Sequence, residues 1–242
     1  MIAKIKKETL YFIRSNITIS VLVGISTLIV IGYIISMDLP ELWHNAGNQF
    51  EVLYQVSLSI VASFLFYVMQ VYIPERKKKK SINPYIIILV EKIADSMNTI
   101  IEELSICYLK NKVSISEITE EQLQVIINNY SANDETTIQV CFEIRNISNA
   151  EMMDLVFKEI ETNIDKLTLR YIGFMDEELE ILIRNIYNCK MQKLFSQSWN
   201  ALMSLVNAKG ISGNAALDTF KDFKYLHYKL IEYIEASKQL NY

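Results

Sequence analysis

Two stretches interrupt the mixed pattern of this chain. Residues 17–37 and 52–73 contain no charged side chain, and their polar positions hold only Ser, Thr, Gln and Tyr. A helix in a soluble core would show charged or strongly polar residues on its outward face. A hydrocarbon core of about 30 Å takes roughly 20 helical residues to cross. The pattern therefore predicts two transmembrane helices, one in each stretch. The first run is longer than a secretory-signal core and ends Ile35-Ser36-Met37-Asp38 with no small-x-small cleavage site. It is read as an uncleaved anchor.

Beyond the second stretch the periodicity becomes that of amphipathic helices. Ser81-Ile82-Asn83-Pro84 reads as a helix start, with Asn83 as N-cap and Pro84 at the first helical position. Ile86, Ile87, Val90, Ile93, Ala94, Met97, Ile100, Ile101, Leu104 and Tyr108 then recur at three- and four-residue steps, predicting a helix to about Lys110. A shorter helix is expected from Thr119 to Tyr130. From Thr137 to Arg145 the apolar residues Ile138, Val140, Phe142 and Ile144 alternate with polar ones, a strand period. Lys112–Ser116 is the nearest partner for such a strand, so a small two-strand patch or an extended linker is expected. Ser148-Asn149-Ala150-Glu151 has the capping-box pattern and opens a helix over about 150–172, closed by Gly173. Asp176 caps a further helix, expected from Glu177 to about Val206, with Gly210 and Gly213 marking the break after it. The last helix is expected from Asn214 or Ala215 to about Leu240, with Phe220, Phe223, Leu226, Leu230 and Ile234 on one face. The fold class that follows is an all-α membrane protein: a two-helix transmembrane hairpin plus an antiparallel helical bundle.

Charge orients that layout. Lys4, Lys6, Lys7 and Arg14 precede the first span, and Arg76, Lys77, Lys78, Lys79 and Lys80 follow the second. The connection at 38–51 has no Lys or Arg but carries Asp38, Glu41 and Glu51. Basic flanks resist translocation, so both termini are expected in the cytoplasm of a multi-pass protein of the bacterial inner membrane. The expected division is a cytoplasmic segment 1–16, spans at 17–37 and 52–73, a periplasmic loop 38–51, a basic segment 74–82 and a cytosolic domain 83–242. Trp43 and Pro40 fall at the outer interface, where Trp is enriched. The lysine run serves topology, anionic headgroups, or both, at about 1 kcal/mol per basic residue.

Residues 81–242 hold 15 basic and 23 acidic side chains, a net charge of −8. Phosphate contact needs clustered positive charge, so direct nucleic-acid binding is not expected. With 6 glycines in the chain, no phosphate-cradling loop is present, and His-Glu-x-x-His and Gly-x-Ser-x-Gly are absent. An Arg-x4-His pair is missing too, since Cys189 stands five residues after Arg184. Glu102-Glu103, Glu120-Glu121 and Asp176-Glu177-Glu178-Glu180 could be metal or acid–base pairs, but first-turn carboxylates also complement the helix dipole. Cys107, Cys141 and Cys189 have neither metal nor redox spacing and read as small apolar residues. His44 is expected to be solvated, and His227 half-buried and hydrogen-bonded at the edge of the last helix's apolar face. The chain reads as a non-enzyme with no catalytic residues, no metal and no cofactor.

The spans carry the sharper pattern. Ser20, Gly24, Gly32 and Ser36 recur at multiples of four, a small-residue ridge that admits a close neighbour. Gln55, Ser59, Ser63, Tyr67 and Gln70 form a polar stripe along the second span. A glutamine amide facing lipid is costly, so the stripe should meet protein or water. Either the two stripes pack together within one hairpin, or copies of the hairpin associate and the polar stripe lines a wet path.

The short hairpin, the exit Val71-Tyr72-Ile73-Pro74-Glu75-Arg76 followed by lysines, and the helical domain beyond it resemble small bacterial two-span membrane proteins. Among these are membrane effectors of anti-phage loci, including that of a retron system. The resemblance implies abortive infection: a cytosolic regulatory protein or ribonucleoprotein complex holds the domain quiet, and release lets the hairpins assemble into homo-oligomers that permeabilise the membrane. The other reading is a membrane-tethered adaptor or scaffold. Membrane lipids are partners in both.

Overall fold

The computed structural model describes residues 16–36, 45–140, 143–194 and 214–240. The chain is mostly helical with one small antiparallel sheet, and it divides into two compact units, Met1–Lys79 and Lys80–Tyr242. Residues 1–15 of the expected N-terminal segment, the first half of the 38–51 loop with Pro40, Trp43 and His44, Cys141, Gly210 and Gly213 lie outside the described residues.

In the first unit, α1 spans Ile17–Ser36 and α2 spans Ala46–Tyr67, and the two pack as a hairpin. Twenty residues at 1.5 Å rise give α1 a length of about 30 Å. Both helices are long and apolar enough to cross a membrane. A π turn, Val68–Tyr72, follows α2, its closing bond running from the Ile73 N–H to the Val68 carbonyl. Pro74 comes next. Its ring excludes the ordinary bond to the carbonyl four residues back, and the wider turn accommodates that loss.

The next helix, α3, spans Ile73–Leu109 without interruption. The expected break over 74–82 and the helix start at Asn83 are therefore corrected, with Pro84 inside a helix. Arg and Lys are good helix formers, and the carbonyl left without an N–H by Pro84 belongs to Lys80, an exposed residue that water can solvate. Beyond Pro84 the predicted apolar face is the buried one, including Ile86, Val90, Ile93, Met97, Ile100 and Leu104.

Helix α4, Glu120–Asn129, opens on a complete capping box: Thr119 Oγ1 accepts from the Gln122 N–H, and Gln122 Oε1 accepts from the Thr119 N–H at 2.9 Å. The strand reading is corrected in its partner. Strands β1, Glu135–Val140, and β2, Glu143–Ser148, fold on each other as an antiparallel hairpin, with Thr136 opposite Ile147 and Val140 opposite Glu143. The proposed partner, Lys112–Ser116, is tied down by α3. Ser105 Oγ accepts from the Val113 N–H at 2.9 Å and Asn98 Oδ1 from the Ile115 N–H at 2.8 Å. Those backbone donors are occupied, so the segment offers no strand edge.

A buried polar cluster fixes the base of the hairpin. The Tyr108 hydroxyl accepts from the Ser131 N–H and from Asn149 Nδ2, each at 2.8 Å, and donates to Asp134 Oδ2 at 3.0 Å. Burial pushes the Tyr108 and Tyr130 hydroxyls well above the usual phenol range, so both stay protonated. Glu103 accepts from Thr136 Oγ1 at 3.1 Å, and burial raises its carboxyl pKa.

Ser148 caps α5, Asn149–Tyr171, its hydroxyl accepting from the Glu151 N–H at 3.2 Å. A short 3-10 turn, Ile172–Phe174, follows. Asp176 caps α6 through the Leu179 N–H at 3.0 Å, and its second oxygen accepts from the Tyr233 hydroxyl at 3.1 Å. The helix expected to reach Val206 instead ends at Tyr187: α6 spans Glu177–Tyr187 and α7 spans Lys190–Leu194. Asn188 turns the chain there, its side-chain amide donating to the Arg184 carbonyl at 2.9 Å, and the turn brings Cys189 and Met191 into the core. The last helix, α8, spans Asn214–Leu240 and packs against α4, α6 and α7. Phe220, Phe223, Leu230 and Ile234 are buried, and Leu226 is half-buried against them. Each such burial contributes about 1.5–3 kcal/mol.

Candidate functional site: the outer face of the hairpin

The hairpin buries little. Ser26 of α1 and Ser57 of α2 are each 3% exposed and are the buried residues of their helices. At one end of the α1–α2 contact, Tyr33 stacks on Tyr54 with ring centroids 4.4 Å apart and meets Phe50 edge-on at 5.5 Å. The Phe50 ring lies over Gly32, where an added Cβ would meet its Cζ at 3.7 Å. Small residues thus bring the backbones together in the middle, and aromatic rings fill the space beside them.

This contact divides the predicted small-residue ridge. Gly32 and Ser36 are half-buried, and Ser36 Oγ donates to the Tyr33 carbonyl at 3.0 Å. Ser20 is half-buried, its Oγ shielded from solvent. Gly24 is exposed, with open space where a Cβ would stand. Three of the four ridge residues are partly covered and one is not; on a helix apolar nearly all round, the wheel pattern does not say which side meets the neighbour.

The polar stripe is placed on the outside. Gln55, Ser59, Ser63 and Gln70 are exposed, and Tyr67 is half-buried. The stripe and the ridge do not cover each other within one hairpin, which corrects the first of the two readings of these residues. α2 turns a different face to α1, with Tyr54 and Ser57 as its centre. Ser59 Oγ donates to the Gln55 carbonyl at 2.9 Å, and Gln55 Nε2 donates to Glu51 Oε1 at 3.4 Å. A hydroxyl bonded back to its own helix is tolerable in an apolar medium, whereas a primary amide carries more donors and acceptors than one such bond satisfies.

Past the π turn, Arg76 is half-buried and Lys77, Lys78, Lys79 and Lys80 are exposed. Arg76 Nη1 donates to the Tyr72 hydroxyl at 3.3 Å, and its guanidinium lies 5.9 Å from the centre of that ring. Four consecutive helical residues are about 100° apart, so the lysines point to almost every side of α3 and form a collar.

Elsewhere the carboxylates have structural partners. Glu102 pairs with Lys112 at 3.0 Å, Glu120 with Lys221 at 2.8 Å and Glu180 with Arg184 at 2.7 Å. Among the described residues no three His, Cys, Asp or Glu side chains converge as a metal site. Cys189 is buried and Cys107 half-buried. His227 departs from the expectation of a half-buried, hydrogen-bonded residue: it is 8% exposed and has no hydrogen-bond partner among the described residues, and burial lowers its pKa to about 4. No pattern in the sequence distinguished it from an ordinary core-edge histidine. Comparison of the chain with protein-family models, with curated proteins and with solved structures found no match.

Proposed function

We propose that the hairpin spans a membrane, with the basic flanks on the cytoplasmic side, and that copies associate through the α2 face bearing Gln55, Ser59 and Ser63, continued by Gln70 in the π turn, to permeabilise it. The observation that carries this reading is the outward placement of that stripe, which α1 leaves uncovered. In hydrocarbon its amides need a polar neighbour, and one hairpin cannot enclose water by itself. Association between copies supplies both the neighbour and the enclosure. The resemblance to two-span anti-phage effectors gives this activity a setting, abortive infection in the bacterial inner membrane. There the acidic helical unit Lys80–Tyr242 would be held by a regulatory protein or ribonucleoprotein complex until release.

Induced expression followed with a membrane-impermeant dye tests the proposal. Wild-type protein admits dye. The double variant Gln55→Leu/Gln70→Leu inserts equally, measured by carbonate-resistant membrane fractionation, and reduces dye entry at least tenfold. Entry unchanged by the double variant removes the polar stripe from the mechanism. A membrane that stays tight with wild-type protein, released or not, leaves the chain as a membrane-tethered scaffold.

A further inference from the structure

A cavity of about 410 Å³ opens between the start of α4 and one face of α8. That volume falls in the range of small-molecule sites. Ile118, Leu123 and Ile231 give it apolar walls, and Tyr225 and Tyr228, each 60% exposed, supply aromatic rings. His227 lines it as well, nine-tenths buried and without a hydrogen-bond partner among the described residues. Its ring nitrogens are not sealed from solvent, so one donor and one acceptor stay open to water or to a group that enters the cavity.

Two ammonium groups line the same cavity. Lys224 Nζ donates to the Ile118 carbonyl at 2.7 Å and makes no ion pair among the described residues, so N–H donors remain for a ligand, while the one carboxylate in the lining is that of Glu120. Lys221 is held by Glu120. The first turn of α4 is not the source of attraction, because its capping box already engages Thr119 and Gln122. The spacing 221, 224, 225, 227, 228, 231 puts all the α8 contributions on one helical face.

From the uncovered imidazole, the apolar walls and the unpaired Lys224 ammonium, we infer that this cavity binds a small aromatic anion. Its ring enters between Ile118, Leu123 and Ile231, a polar ring atom meets the His227 imidazole, and its carboxylate or phosphate reaches Lys224. The inference is independent of the membrane reading, since the cavity is built wholly from residues of the Lys80–Tyr242 unit.

The chain has 2 histidines, so selective labelling reads the site directly. Full-length protein in lipid nanodiscs, carrying labelled histidine and His44→Gln, leaves one imidazole signal, that of His227. Titration with 2-naphthoate tests an aromatic carboxylate and titration with adenosine monophosphate an aromatic phosphate. Neutral 2-naphthol and inorganic phosphate are the controls. At least one aromatic anion should shift the His227 signal saturably below millimolar concentration, ten times more tightly than either control. Lys224→Gln should weaken it at least tenfold and Lys224→Arg should restore it, which separates loss of charge from loss of fold. A signal unmoved by both aromatic anions overturns the inference, as does equal binding of neutral naphthol or binding indifferent to Lys224→Gln. A signal moved only by an acidic peptide also overturns it, in favour of a protein partner.

Discussion

The hairpin and the helical unit distribute the same residue types in opposite ways. In α3 beyond Pro84 the buried residues are mostly Ile, Val, Leu and Met, with Ser96 and Ser105 among them, and the exposed positions pair Lys92 and Asp95 with Tyr85, Ile88 and Ile106. In α1 and α2 the fully buried residues are serines, while Val21, Leu22, Ile25, Leu28, Leu58 and Phe66 stand exposed. Burial of this kind stabilises a unit by removing apolar surface from water. The hairpin keeps that surface outside and closes on small and aromatic residues instead. Large exposed apolar surfaces mark contact with a membrane or another protein. The comparison assigns different forces to the two units: apolar burial holds one, close backbone approach and ring contacts hold the other.

Truncation on the two sides of this comparison should give the largest contrast. Phe223→Ala removes a ring 1% exposed and should destabilise the helical unit by about 3–5 kcal/mol, whereas Leu22→Ala, exposed on α1, should leave unfolding within about 0.5 kcal/mol of wild type. Denaturant unfolding monitored by near-ultraviolet circular dichroism measures both. Equal losses would break the contrast.

Acid should act on the helical unit through His227. Burial holds the His227 pKa at about 4 in the folded chain, so as pH falls below the ordinary value of 6.5 the unfolded chain takes up the proton first. Stability from this group is full above pH 6.5 and declines toward pH 4. Between pH 7.5 and pH 5 the loss is about 2 kcal/mol. His227→Gln should flatten that part of the profile. A smaller effect, about 1 kcal/mol, is expected for Thr119→Ala, which removes the α4 cap and leaves the hairpin untouched. Thermal melts of the two variants beside wild type check both.

Local signals were legible in the sequence and tertiary ones were not. Thr119, Ser148 and Asp176 each cap the helix that their neighbours predict, because capping is decided within four residues. The two apolar runs were legible for the same reason. The continuity of α3 through Pro84 was not, since the boundary signal at Asn83-Pro84 competes with the helix propensity of the lysine run. Pairing of β1 with β2 depended on Lys112–Ser116 being occupied by Asn98 and Ser105, contacts made across the fold. The polar stripe was visible as a stripe, but its direction was set by where Ser57 and Tyr54 meet α1. His227 gave no signal at all, because an imidazole bonded within the core and one that lines a cavity have the same sequence spacing.

The π turn at Val68–Tyr72 gives the hairpin a phase. Such a turn behaves as one residue inserted into an α-helix, and each helical residue advances the angle by about 100°. Side chains on either side of it therefore keep two different angular clocks. Gln55, Ser59 and Ser63 follow the clock before the turn, and Arg76 and the first lysines follow the one after it. Deleting a single residue there would preserve both apolar length and basic charge, yet rotate the collar by about a quarter of a circle relative to the stripe. Length and charge are enough to seat a helix in a bilayer, but the angle between stripe and collar is a separate variable, and one backbone turn sets it.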